Sequence, residues 1–186
     1  MPVLAREPDL CPETLLDDSD YQSEHRQWKA FYTKPSQEKA FARELLTAEI
    51  PFYLPLVKKT SVYSNRHVIT SWKPLFPGYV FVCGSKDECM ESLSTRRVVR
   101  ILPVHDPDRL LQDLRRIRKL IASGAPVTPE RRLVRGDRVR VRYGPLAGFE
   151  GVVLVRHRRT RLLVSVDFLQ QGASIEIDDF MLEPID

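Results

Sequence analysis

A proline- and glycine-rich turn leads directly into an apolar strand at residues 73–82, and this run constrains the fold more than any other part of the chain. Pro74 and Pro77 fix φ on either side of Phe76. Gly78 can adopt the positive φ that a tight entry into a strand needs. The sequence therefore predicts a turn joined rigidly to a strand that begins at Tyr79.

The strand after this turn is apolar on both faces. A two-residue period puts Val80 and Val82 on one face and Tyr79, Phe81 and Cys83 on the other. One interpretation is a central strand covered on both sides. The other is an aromatic row that binds a second protein, since Tyr and Phe are enriched among interface anchors. In both interpretations each face of the strand needs a partner.

The composition fits a globular chain of one medium domain or two small ones. Of the 186 residues, 42% are hydrophobic, and no apolar run approaches the roughly 20 residues of a membrane span. The first residues show neither the basic nor the apolar region of an export signal. The three cysteines form no CxxC pair, which argues against a disulfide framework or a zinc site. We expect a cytoplasmic protein without a membrane partner.

Charge is segregated along the chain. Residues 1–25 hold seven acidic residues and one Arg, whereas residues 96–161 hold 18 Lys and Arg against six acidic residues. The basic middle indicates contact with nucleic acid or another anionic surface, although solvated Arg is the commoner fate of such residues. Residues 1–26 are acidic, contain three prolines and show no period, so we expect a disordered tail.

Folded sequence begins near Trp28, where residues 28–32 are predicted as a strand. Ser36 is a candidate N-cap for the helix that follows, and Pro51 should end that helix. Residues 52–57 and 67–72 are predicted strands on either side of a hairpin tip at 58–66.

Ser85 and Glu88 form a capping-box sequence, which predicts a short helix to about Ser94. A strand should follow at residues 98–102. Asp106 and Pro107 then begin a helix, and its apolar stripe consists of Leu110, Leu114, Ile117 and Ile121.

The period changes to two after a proline-containing segment at residues 124–132, which we interpret as a linker. Short strands then follow between residues 137 and 177, a pattern typical of a small β-barrel. Gly144, Gly148 and Gly151 are predicted to allow turns too tight for a Cβ.

The sequence offers little for catalysis. Its four histidines are dispersed, and its eight glycines form neither a phosphate loop nor a dinucleotide fingerprint. Cys83 could be a nucleophile, but free cysteine is usually a small buried hydrophobe. We therefore expect no enzyme, no metal site and no cofactor.

Three motifs in order resemble the N-terminal domain of the NusG/RfaH family of transcription elongation factors: Trp28–Tyr32, the Pro-Leu-Phe-Pro-Gly-Tyr-Val-Phe-Val run, and Ser94–Val99. Residues 136–185 resemble the KOW domain that follows it. The resemblance implies an α+β protein of two domains. These would be an α/β sandwich with a mostly antiparallel sheet at residues 27–123, and a small SH3-like β-barrel at 133–186 beyond the linker.

In this family, a shallow apolar surface binds the clamp helices of RNA polymerase. The matching positions are Tyr32, Phe76, Tyr79 and Phe81. A flat aromatic surface with hydroxyls at its rim can seat a helical hairpin without a deep pocket. For Phe76 the alternative is a buried cap beneath the turn.

The resemblance also implies nucleic-acid and second-partner contacts. Lys34 and Arg96 match basic positions that contact the non-template DNA strand. Phe168 and Leu169 match the KOW loop that meets the termination ATPase Rho or a ribosomal protein. The Gly-Arg that follows in the family is Gln170-Gln171 here, and a His-Thr-Thr run that one branch uses on the polymerase gate loop has no counterpart. Neither the partner nor the gate-loop contact can be inherited.

The resemblance implies a factor that modulates pausing, termination or antitermination. The acidic extension and the altered loop favour a specialised paralogue over the housekeeping NusG factor. A different class is an RNA-binding ribosomal or ribosome-assembly protein, since KOW domains also occur there. The whole N-terminal motif argues against it.

Overall fold

The computed structural model describes residues 6–17, 21, 25–62, 68–131, 136–156 and 158–185. The chain divides into two compact units, Met1–Asp108 and Arg109–Asp186. None of the helices in the described ranges has the length and apolar character of a membrane span.

Within its described residues, the first unit combines seven strands with two α-helices. In chain order these are β1 Leu10–Cys11, β2 Gln27–Thr33, α1 Glu38–Thr47, β3 Phe52–Tyr53, β4 Leu56–Val62, β5 Val68–Pro74, β6 Tyr79–Gly84, α2 Lys86–Leu93 and β7 Val98–Pro103. Five strands form one sheet in the order β1-β3-β6-β2-β7, and every pair in it is antiparallel. β4 and β5 form a separate hairpin. The predicted antiparallel sheet is confirmed, while residues 63–67 of the predicted hairpin tip lie outside the described residues.

One face of this sheet packs against α1. The helix carries Phe41, Ala42 and Leu45 on one side, and these join Val80 and Val82 of β6 in a buried cluster. The apolar side of α1, which has a helical period, thus packs against the apolar face of β6, which has a two-residue period. The cluster confirms the predicted inward face of the strand.

Helix termini show one correct and one wrong prediction. At α2, the Ser85 side chain accepts from the Glu88 amide and the Glu88 side chain accepts from the Ser85 amide, which confirms the capping box. Ser36 is not the N-cap of α1. The cap is Gln37, and Ser36 has φ of 61°, because the chain turns through the left-handed region before the helix begins. The helix ends at Thr47, four residues before Pro51.

The predicted disordered tail is partly wrong, because residues 6–17 belong to the first unit. β1 pairs with β3, and the Leu54 amide donates to the Asp9 carbonyl at 2.6 Å. Leu15 and Leu16 are 1% and 0% exposed. Burial of two leucines offsets the acidic composition of a segment that looks solvated by composition alone.

The second unit consists of a helix and an antiparallel sheet. α3 spans Pro107–Ala122, so the boundary between the two units falls in the first turn of this helix. The strands of the second unit are β8 Thr128–Glu130, β9 Arg138–Val141, β10 Glu150–Arg156, β11 Arg159–Val166, β12 Gln171–Glu176 and β13 Leu182–Pro184. They pair in the order β13-β9-β10-β11-β12-β8. The predicted strands are confirmed, whereas closure of the sheet into an SH3-like barrel stays a prediction.

The structure of this unit differs from four local expectations. Residues 109–122 group with the second unit, and β8 lies inside the predicted linker, where it pairs with β12. Position 132 of that linker is outside the described residues. Leu120 of α3 is fully buried, whereas Ile121, which the sequence assigned to the apolar stripe, is only half-buried. Gly151 lies in a strand, where an added Cβ would be 2.5 Å from the Leu163 carbonyl oxygen, so close packing rather than a turn requires glycine there.

We predict that Leu16→Ala lowers the free energy of unfolding by about 2–5 kcal/mol, since it removes a fully buried side chain and leaves a cavity. Thr14→Ala, two residues away on the exposed side of the same segment, is the matched control and should change it by no more than about 0.5 kcal/mol. Urea denaturation measures both. Equal stabilities for Leu16→Ala and the wild type would show that the segment is not part of the folded unit.

Candidate interaction surface

The turn before β6 is held by a buried carboxylate. Gly78 has φ of 86°, and its amide donates to Glu38 Oε1 at 2.7 Å. Its carbonyl accepts from the Thr33 amide at 2.8 Å. Glu38 is only 6% exposed. This hydrogen bond connects the first turn of α1 to the turn, and sequence analysis missed Glu38 because no motif separates it from other acidic residues at a helix start.

The same turn positions Tyr32. A Cβ at Gly78 would lie 2.9 Å from Tyr32 Cε2, so any residue other than glycine would clash with the Tyr32 ring in this position. Tyr32 and Tyr79 are opposite each other in the β2–β6 register, with ring centroids 5.3 Å apart at 58°. The Arg100 guanidinium lies over the Tyr32 ring, 5.4 Å from its centroid. The two half-buried tyrosines therefore form a fixed aromatic pair beside a cation.

Phe76 and Phe81, which the resemblance assigns to the same surface, are buried instead. They are 1% and 0% exposed, and their rings meet edge to face with centroids 6.4 Å apart. For Phe76 this is the buried cap that the sequence left open as an alternative. Of the four aromatic positions, only Tyr32 and Tyr79 offer accessible area in this structure.

The N-terminal segment reaches the face of the sheet opposite α1. Cys83 lies on that face, and its thiol donates to the Tyr21 carbonyl at 3.4 Å. Leu15 and Leu16 are buried without belonging to the cluster beneath α1. Sequence analysis could not place this segment, because nothing in its residues indicates which strand it contacts.

Lys34 and Arg96, the predicted DNA contacts, are both exposed. The Lys34 amide donates to the Arg97 carbonyl at 2.8 Å, which brings the two predicted residues to one place on the first unit. Arg97 itself is engaged, since its Nε donates to Glu44 Oε1 at 2.7 Å. Lys34, Arg96 and Arg100, the last of which lies beside Tyr32, give this region three positive side chains in addition to the paired Arg97.

Phe168 and Leu169 lie in a single 3-10 turn, Asp167–Leu169, and both are half-buried. The turn is fixed to α3: the Asp167 amide donates to Asp113 Oδ2 at 3.0 Å, and Arg109 Nη2 donates to Asp167 Oδ2 at 2.7 Å. Burial raises the pKa of the Asp113 carboxyl, while the Asp167 amide opposes that effect. The apolar pair is thus presented by a rigid turn.

The cysteines lack the surroundings of a nucleophile. Burial raises the pKa of Cys83 to about 11 and also raises the pKa of Cys89, against the opposing effect of Lys29 Nζ at 3.3 Å from the Cys89 sulfur. Within the described ranges, no group of three His, Cys, Asp or Glu could hold a metal ion.

We predict that Cys83 in the native protein reacts with iodoacetamide at about pH 8 far more slowly than in the unfolded chain. The thiolate is the reactive form, and a folded pKa above the unfolded value leaves less thiolate at this pH. The rate should rise as pH approaches 11. Mass spectrometry of the labelled peptides measures it, with denatured protein as the control. Faster labelling in the native state would indicate an activated thiol.

Comparison with known proteins places the chain in a family. The family described as "Transcription termination factor nusG" matches residues 26–120, just over half of the 186 residues. The chain is also similar to a solved structure that describes domain interaction in Thermotoga maritima NusG, at 18% identity and a TM-score of 0.48, covering 87% of this chain and 98% of that one. No curated protein sequence matches significantly. On the strength of the family match, the chain belongs to the NusG family of transcription factors.

Proposed function

We propose that this protein is a non-enzymatic, cytoplasmic transcription elongation factor that binds the clamp helices of RNA polymerase through Tyr32 and Tyr79. The observation that carries the proposal is the fixed tyrosine pair at the Gly78 turn, at positions that the family uses for polymerase. Both rings are half-buried, so their apolar faces can be covered by a helical hairpin while their hydroxyls stay at the rim.

The basic residues beside this pair suit a second, electrostatic contact. Lys34 and Arg96 are exposed, and Arg100 lies over Tyr32. In a complex with polymerase these cations would neutralise phosphates of the non-template DNA strand, which positions the factor without reading sequence. The proposed polymerase contact and the proposed DNA contact would then lie next to each other on the first unit.

The second unit is proposed as a KOW module that recruits a further partner. Phe168 and Leu169 offer a small apolar surface, and the ion pair between Arg109 and Asp167 keeps their turn in place. Rho or a ribosomal protein are the partners that such a loop meets in the family. Because Gln170 and Gln171 replace the family's Gly-Arg, we favour a specialised paralogue that promotes or terminates transcription of particular operons.

We predict that the double variant Tyr32→Ala/Tyr79→Ala loses binding to an isolated clamp-helix coiled coil by at least about 30-fold, since one hot-spot truncation alone costs on the order of 2 kcal/mol. Tyr143→Ala removes a tyrosine that is 46% exposed in the second unit and is the matched control. Titration by fluorescence anisotropy measures both. Unchanged binding by the double variant would refute the proposed surface. Phe81→Ala is unsuitable, because truncating a fully buried ring costs about 3–5 kcal/mol of stability.

We predict that Lys34→Gln/Arg96→Gln weakens association with an elongation complex that contains the non-template strand, and that added salt diminishes the difference. Binding to isolated clamp helices should be unchanged, because these helices carry no phosphate. Equal losses for the two targets would assign both residues to the protein interface instead.

A further inference from the structure

A cavity of about 740 Å³ lies within the second unit, between α3 and the strands β9 to β11. Its wall holds five positively charged residues and one acidic residue: Arg109, Arg115, Arg116, Lys119, Arg138 and Glu150. Neither the sequence motifs nor the family surface accounts for this site. So strong an excess of one sign in a concave site attracts an anion.

The cations form a row along one side of α3. Arg109 and Arg116 are seven residues apart and Lys119 follows three residues later, so these three lie on one side of the helix, with Arg115 at its margin. At 1.5 Å of rise per residue, the row from Arg109 to Lys119 is about 15 Å long. Arg138 extends it onto β9. The charge is therefore distributed along a groove rather than concentrated at a point.

Two of these cations are positioned by an aromatic ring that does not neutralise them. The Arg116 guanidinium and the Lys119 ammonium lie 5.6 and 5.7 Å from the centroid of the Phe149 ring. Arg116 also donates to the Glu150 carbonyl. These contacts hold the helical side of the groove against β10 and leave the positive charges in place.

The one acidic residue of the wall is shared with a cation outside it. Glu150 Oε1 accepts from Arg140 at 2.7 Å, and this bond keeps the pKa of the Glu150 carboxyl below its usual value. The other carboxylate oxygen, Glu150 Oε2, is 3.6 Å from Arg138 Nη2. Arg140 already compensates most of this carboxylate, while Arg109 is paired with Asp167. The positive excess of the wall therefore comes from Arg115, Arg116, Lys119 and Arg138.

We propose that this groove binds the phosphodiester backbone of a single-stranded nucleic acid. A row of about 15 Å matches four or five phosphates at about 3.4 Å per nucleotide of a stacked strand. A duplex is read by a convex element that enters a major groove about 12 Å wide, whereas here the cations line a concave site. Phe149 is 6% exposed and offers no face for stacking a base, so binding does not depend on sequence.

The test measures anisotropy of labelled ten-nucleotide oligo-U RNA and oligo-T DNA with the full-length protein at low salt. Arg115→Gln/Lys119→Gln should weaken binding of both strands roughly tenfold and lower the salt slope by about 1.4, at about 0.7 per phosphate contact. Similar losses for RNA and DNA assign binding to the shared backbone. A larger loss for RNA adds a contact to the 2′-hydroxyl.

The matched control is Arg158→Gln/Arg159→Gln, which removes the same charge from exposed positions outside the groove and should change affinity less than twofold. Glu150→Gln removes the acidic residue and should strengthen binding. Urea denaturation of each variant separates loss of the site from loss of the fold. Lys34→Gln/Arg96→Gln removes the cations of the first unit, so the loss caused by the groove variant should persist in that background.

The proposal is overturned if the groove and control variants lose equal affinity, or if neither strand binds at low salt. It is also overturned if a ten-residue poly-glutamate peptide competes as well as the oligonucleotide, because the groove would then be a site for acidic protein. Loss of polymerase binding in Tyr32→Ala/Tyr79→Ala bears on the first unit alone and leaves this test unaffected.

Discussion

The hydrogen bond between the Gly78 amide and the Glu38 carboxylate is the contact on which the first unit depends. It joins the start of α1 to the turn before β6, and it is shielded from water because Glu38 is 6% exposed. Leaving a buried amide without its acceptor would cost about 1–3 kcal/mol. The geometry of this turn also determines where Tyr32 lies, so one buried polar contact fixes the position of the Tyr32–Tyr79 pair.

Much of the fold follows from local sequence. The inward face of β6 was predictable because Val80 and Val82 alternate, and α2 because Ser85 and Glu88 satisfy each other's amides. Capping and periodicity depend on residues that are close in the chain. For the site, Tyr32 and Tyr79 came from the family resemblance, and the structure adds their register and ring geometry.

The missed features depend on contacts between residues distant in sequence. The acidic composition of residues 6–17 gave no sign that Leu16 is buried, because burial depends on which strand the segment meets. The family resemblance assigned Phe81 to an exposed surface, whereas both faces of its strand are covered. The row of cations beside β10 was visible as charge, but only the packing of α3 turned it into a groove. Pattern predicts which residues share a face and leaves open what covers that face.

The pairing of β1 with β3 also affects the solubility of the first unit. β3 would otherwise form the edge of the sheet, and an edge with unpaired amides and carbonyls can add a strand from another molecule. β1 occupies that edge with two residues, Leu10 and Cys11, too few to offer a long template in its turn. The segment that composition marks as a tail thus protects the sheet against aggregation, and a fusion or truncation at the N-terminus would have to preserve this short strand.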